Sequence, residues 1–201
     1  MDKNIEKLEE KWGSFRKVSH YYEQCELPFI SDQARLNVIF DPIDFGVVEG
    51  VFANKLKSEL LPDLKEFYLK YNGCRLFSNS FNIYGVQVYD SDIYQPYDIV
   101  IENVNNYAKM SDREKKRCNL LFFGSLGGDY IFGYDRDEKK QIYCVEAGHG
   151  KILKRFDSFN AFITYYINGL INEYDLKGKK LHPEEDSVGI PVLENLTSSL
   201  F

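Results

Sequence analysis

Two ionisable side chains stand where a turn could present them to a substrate. Asp129 follows Gly127-Gly128 at the start of a strand pattern, and His149 lies between two further glycines. A carboxylate and an imidazole can act as general base and general acid. A carboxylate in a turn more often caps backbone amides, which is the simpler interpretation of Asp129. We therefore predict no catalytic residue, unless Asp129 and His149 converge in one cleft.

Other patterns that could support chemistry are incomplete. Gly124, Gly127 and Gly128 superficially resemble a phosphate cradle, but the Lys-Ser/Thr pair that holds phosphate and magnesium is absent. The three histidines show no metal-ligand spacing. The cysteines are widely separated and form no Cys-x-x-Cys pair: Cys25, Cys74, Cys118 and Cys144. We expect free thiols, no metal and no cofactor.

The stretch from Leu120 to Ile171 predicts an antiparallel meander closed by one helix. Apolar and aromatic residues form short runs separated by Gly127-Gly128, by a charged turn at 135–139, and by a glycine-rich turn at 148–150. After Ser158 the period changes to the three-and-four spacing of a helix. Phe159 and Phe162 begin the apolar face, which we expect to lie on the sheet.

The earlier part of the chain gives weaker patterns. Pro62 predicts a helix that ends near Leu60 and a second that begins after Asp63, because proline restricts the residue before it. Asp63 and Glu66 have the spacing of a reciprocal cap. Further expectations are a first sheet strand over 81–89 with a bulge at Gly85, a helix over 98–109, and a solvated charged connection over 111–117.

Composition and charge exclude several classes of function. The net charge of −6 argues against nonspecific nucleic-acid binding, which needs a basic surface. No run approaches the roughly 20 apolar residues of a membrane helix, and the charged amino terminus lacks the apolar centre of a signal peptide. These features predict a cytoplasmic protein without a nucleic-acid or membrane partner.

The loop that follows the 81–89 strand is the preferred contact surface. Aromatic anchors interleaved with carboxylates could bind a basic protein surface. The simpler interpretation is that some of the tyrosines pack while the acids solvate the loop. The predicted partner-binding residues are Tyr84, Tyr89, Asp90, Asp92, Tyr94, Tyr97 and Asp98.

Two segments resemble a known family. The first runs from Leu61-Pro62 through Phe67 to Asn72-Gly73; the second begins at Gly127-Gly128-Asp129 and ends in the helix that contains Phe159 and Phe162. In order and spacing this pattern is similar to the SUKH superfamily, specifically its Smi/Knr type, over about residues 45–172. These motif residues are expected to be structural.

The resemblance implies an α+β fold, with an antiparallel sheet of about four to six strands and helices packed on it. Many bacterial members are immunity proteins that bind a cognate toxin domain, which implies a non-enzymatic toxin-neutralising protein here. Yeast members imply the alternative, a regulatory or scaffold module related to cell-wall assembly. Residues 1–44 and 173–201 fall outside the resemblance and are predicted to be terminal extensions.

Overall fold

The computed structural model describes residues 2–12, 16–18, 37–77, 79–87, 96–137, 141–176 and 180–181. In this part of the chain, eight strands form one sheet in sequence order; β1 is parallel to β2, and all other neighbours are antiparallel. The strands are β1 (Arg16–Val18), β2 (Val38–Phe40), β3 (Cys74–Leu76), β4 (Phe81–Ile83), β5 (Leu120–Leu126), β6 (Tyr130–Asp135), β7 (Ile142–Glu146) and β8 (Ile152–Phe156).

The helices pack around this sheet. They are α1 (Asp2–Trp12), α2 (Phe45–Val51, continued by a π-helical turn over Phe52–Leu56), α3 (Pro62–Lys70), α4 (Ile99–Ala108), α5 (Asp112–Arg117) and α6 (Phe159–Leu170). The predicted α+β class is confirmed. The strand number exceeds the predicted four to six because β1, β2 and β3 have three residues each, too few for a two-residue period to be recognised. Strand β4 lies within the predicted 81–89 strand but ends at Ile83.

The meander of β5 to β8 and the closing helix agree with the sequence prediction. Ser158 caps α6 by accepting a hydrogen bond from the Ala161 amide at 3.1 Å. Aromatic rings of the helix then interlock with those of the sheet: Phe162 lies 4.7 Å from Phe132 between ring centroids, in an edge-to-face arrangement. Both rings are fully buried, so the core of the protein lies between α6 and the central strands.

The two family-motif segments meet in this core. Phe67 of α3 contacts Phe159 of α6, with 5.5 Å between ring centroids. Leu61 is buried at the start of α3. The predicted reciprocal cap at Asp63 and Glu66 is wrong, because α3 begins two residues earlier than predicted, with Pro62 in its first turn and Leu61 at the N-cap.

The charged segment after α4 is a helix rather than the predicted connection. Ser111 and Glu114 form a capping box, in which each side chain accepts a hydrogen bond from the other residue's backbone amide. Helix α5 carries charges and no apolar stripe, so hydrophobic periodicity could not reveal it. The three-residue spacing of Ser111 and Glu114, which is that of a capping box, was the sequence feature that could have predicted α5.

The amino-terminal segment that we predicted as an extension packs on the same core. Leu8 is fully buried in α1. The Lys11 ammonium donates to the carbonyls of Ile171 and Tyr174, and the Trp12 indole donates to the Asp175 carbonyl at 2.8 Å. None of the described helices is long and apolar enough to cross a lipid bilayer.

Candidate functional site

The structure separates the predicted contact residues into three groups. Tyr84 is only 2% exposed and belongs to the core. Tyr97 and Asp98 are half-buried at the point where the loop enters α4. Four of the predicted residues lie outside the described part of the chain, in the loop itself: Tyr89, Asp90, Asp92 and Tyr94.

The base of this loop is held by backbone hydrogen bonds. The Gly85 amide donates to the Tyr97 carbonyl at 2.9 Å, and the Ile99 amide donates to the Gly85 carbonyl at 2.8 Å. A Cβ on Gly85 would overlap the Asn72 carbonyl and would lie 2.6 Å from the ring of Pro96. Gly85 therefore permits close approach of two backbones and is not the predicted bulge.

Asn72 holds the other side of the same segment. Its carboxamide donates to the Val86 carbonyl and accepts the Val86 amide, both at 2.8 Å. Gly73 follows with a φ of +90°, a conformation that a residue with a Cβ rarely adopts. The Asn-Gly pair of the family motif thus both ends the α3 segment and positions the loop.

Asp98 has a structural role at the loop exit. One carboxylate oxygen accepts the amides of Val100 and Ile101 at 2.8 and 2.9 Å, which makes Asp98 the N-cap of α4. The other oxygen accepts the Gln87 amide at 3.2 Å. Replacing this residue would therefore disturb the helix as well as the surface charge.

The aromatic residues at the base form a packed group. Tyr84 and Tyr97 meet edge to face at 6.4 Å between centroids, and the Arg75 guanidinium lies 4.2 Å from the Tyr97 ring centroid. Burial raises the pKa of the Tyr84 phenol to about 12. Of the described tyrosines in the predicted set, Tyr97 is the one with a partly exposed ring.

The groups considered for catalysis are placed differently. His149 is exposed, and its Nδ1 lies 3.8 Å from Oε1 of Glu114. Asp129 is also exposed, and its carbonyl oxygen accepts the Ala147 amide at 2.8 Å. Among the described residues, no ion pair joins Asp129 to His149, and no group of His, Cys, Asp or Glu could hold a metal ion.

The described cysteines are free thiols. Burial raises the pKa of Cys74 to about 12 and that of Cys144 to about 11. Burial likewise raises the pKa of Cys118. Because the thiolate is the nucleophilic form of cysteine, these shifts disfavour reactivity at neutral pH.

Helix α4 is a surface that sequence reasoning missed. Its buried residues include Asn103 and Asn106, whereas Ile101 and Val104 are 54% and 64% exposed. The sequence could have revealed this surface, because Asn103 and Asn106 lie on one face of a helix and Ile101 and Val104 lie on another. Beside this helix lies an open groove of about 370 Å³, lined in part by Leu56, Tyr107 and Arg136.

The arrangement of buried motif residues agrees with a match to a known family. Residues 51–165, more than half of the chain, match the model of the SMI1 / KNR4 family (SUKH-1). Neither a curated protein nor a solved structure was found to match the chain. The matched range includes both motif segments, the loop base and all of α4. The chain therefore belongs to the SMI1 / KNR4 family (SUKH-1).

Proposed function

We propose that the protein is an immunity-type binding protein that neutralises a cognate toxin domain by covering its active site or substrate groove. It performs no chemistry itself. The observation that carries this proposal is the family match over residues 51–165, since many bacterial SUKH proteins bind toxins. The partner is a protein, and the complex forms in the cytoplasm of the producing cell.

The loop over 88–98 supports a role in partner recognition. Its two ends are held together by the Gly85 pairing and by the Asn72 clamp on Val86. Loops on a rigid base can vary in sequence without loss of the fold, which is how partner specificity commonly arises. Asp90 and Asp92 would face basic groups on the toxin, and Tyr89 and Tyr94 would supply aromatic anchors.

A co-expression experiment tests the function. The toxin is the carboxy-terminal domain of a large secreted protein encoded beside this gene, expressed in a susceptible host with and without the protein. Survival with the protein, together with direct binding of the purified pair by calorimetry, is the expected result. Killing in both cultures and no measurable binding would reject the proposal. Binding to a housekeeping complex instead would favour the regulatory scaffold.

Charge reversal in the loop tests its contribution. Asp90→Lys combined with Asp92→Lys should weaken toxin binding at least tenfold, which corresponds to a loss of about 1.4 kcal/mol of binding free energy. The matched control is Glu6→Lys with Glu10→Lys, which changes the net charge equally on exposed positions of α1. Asp98→Asn completes the set, because Asn retains the N-cap while removing the charge. Equal affinity for all variants would remove the loop from the interface.

A further inference from the structure

Helix α4 presents two apolar side chains to solvent, while two of the three residues buried on its inner face are asparagines. Asn103 and Asn106 are 4% and 3% exposed, whereas Ile101 and Val104 are more than half exposed. Ile101 and Val104 are three residues apart, so they lie on one face of the helix. Single exposed apolar residues are common, but a contiguous apolar face rimmed by charge indicates an interaction surface.

The groove beside α4 continues this apolar face. Leu56 is 6% exposed at its base, and Val100, Val104 and Tyr107 of α4 form one wall. Tyr107 is fixed by donating from its hydroxyl to the Cys118 and Leu120 carbonyls, at 3.1 and 2.6 Å. The wall is therefore already in position before any partner binds, which lowers the entropic cost of binding.

Cationic side chains surround the groove. Lys55, Lys115 and Arg136 line it, and none of the lining residues in the described part of the chain is acidic. Arg136 donates to the Leu56 carbonyl, which fixes its side chain at the groove. In the described part of the chain, Lys55 forms no ion pair, and the Lys115 ammonium lies as far as 4.0 Å from the Asp112 carboxylate. The positive charge of the rim is therefore not neutralised by tight pairs.

From this geometry we infer that the outer face of α4 and the adjoining groove bind a segment of the toxin that carries apolar side chains flanked by carboxylates. The inference rests on the proposed function and specifies where on the protein the toxin binds. Apolar side chains of the segment cover Ile101 and Val104, and its carboxylates approach Lys55 and Lys115.

Calorimetry with the purified toxin domain tests the apolar face. Ile101→Asp with Val104→Asp should weaken binding at least about thirtyfold, the effect of losing an interface hot spot of about 2 kcal/mol. Leu69→Asp is the control, because Leu69 is similarly exposed at 52% on a different helix. Circular dichroism and urea unfolding establish that each variant is folded. Wild-type affinity in the α4 variant would overturn the inference while leaving the proposed function intact.

Charge reversal tests the chemistry of the segment. Lys55→Glu with Lys115→Glu should weaken binding and reduce its salt dependence, because attraction to carboxylates is lost. Tighter binding or no change would reject an acidic segment. Sedimentation of the free protein tests a second copy as the occupant: a dimer abolished by Val104→Asp would assign the face to self-association and overturn the inference. If no toxin domain binds the wild type, the proposed function and this inference fail together.

Discussion

The carboxamide of Asn103 pairs with both backbone groups of Phe122, as a residue of a neighbouring strand would. Its Nδ2 donates to the Phe122 carbonyl at 2.7 Å, and its Oδ1 accepts the Phe122 amide at 2.9 Å. Strand β4 pairs with β5 only from Gly124 to Leu126. Helix α4 therefore supplies side-chain partners where the sheet has no strand, and Ile101 and Val104 on its opposite face are left facing solvent.

Replacing Asn103 with Ala should destabilise the protein by roughly 2–4 kcal/mol, because the buried amide and carbonyl of Phe122 both lose their partner. Urea unfolding followed by circular dichroism measures the change. Asn105→Ala is the matched control, since Asn105 is exposed on the same helix. A variant of Asn103 as stable as the control would show that water or a local rearrangement replaces the pairing.

Two glycine substitutions should have opposite effects. Gly85→Ala should destabilise the protein by more than about 1 kcal/mol, because the new Cβ would overlap the Asn72 carbonyl and the Pro96 ring. Gly169→Ala should stabilise it by up to about 1 kcal/mol, because Gly169 is helical and its Cβ would meet nothing within 4 Å. Thermal unfolding compares the two. Equal melting temperatures would contradict the close approach at Gly85.

The single tryptophan reports whether α1 belongs to the cooperative core. Trp12 is 9% exposed, lies 5.9 Å from Phe77 between ring centroids, and donates to the Asp175 carbonyl. Its fluorescence and the far-ultraviolet circular dichroism should therefore give the same urea midpoint, as coincident transitions require for two-state unfolding. A fluorescence transition at clearly lower urea would show that α1 detaches before the sheet unfolds.

Stability should fall at alkaline pH. Burial raises the pKa of Cys74, Tyr84 and Tyr134 to about 12 each. In the unfolded chain these groups lose their protons near their ordinary pKa values of about 8.5 for Cys and about 10 for Tyr. The stabilisation is complete below about pH 8.5 and is lost as the pH rises towards 12, since the unfolded state then binds fewer protons.

Urea midpoints at about pH 8 and about pH 11 measure this loss. Tyr134→Phe should show a smaller decline, because Phe cannot ionise. It should be less stable at pH 8 by about 1 kcal/mol, since the hydroxyl no longer donates to the Glu59 carbonyl. Midpoints that do not change with pH would contradict the protonated state of these buried groups.

Local sequence patterns predicted the elements that have clear periods. The alternation around Tyr130 to Tyr134 predicted β6, and the helical spacing from Phe159 to Leu170 predicted α6. Burial of one face of α6 follows from its helical spacing, whereas β6 is buried on both faces, since Ile131 and Phe132 are both buried. The motif residues Phe67 and Phe159 were recognised as structural, but their contact joins segments that are far apart in the chain.

The sequence by itself determined the class of fold, the meander with its closing helix, and the family, because these depend on neighbouring residues and their spacing. Tertiary structure alone decided that Tyr84 is buried and that α4 exposes Ile101 and Val104. The physical reason is that each depends on a distant partner. The hydrogen bonds with the Phe122 backbone hold Asn103 on the inner face of α4. Ile101 and Val104 on the opposite face therefore remain available for binding.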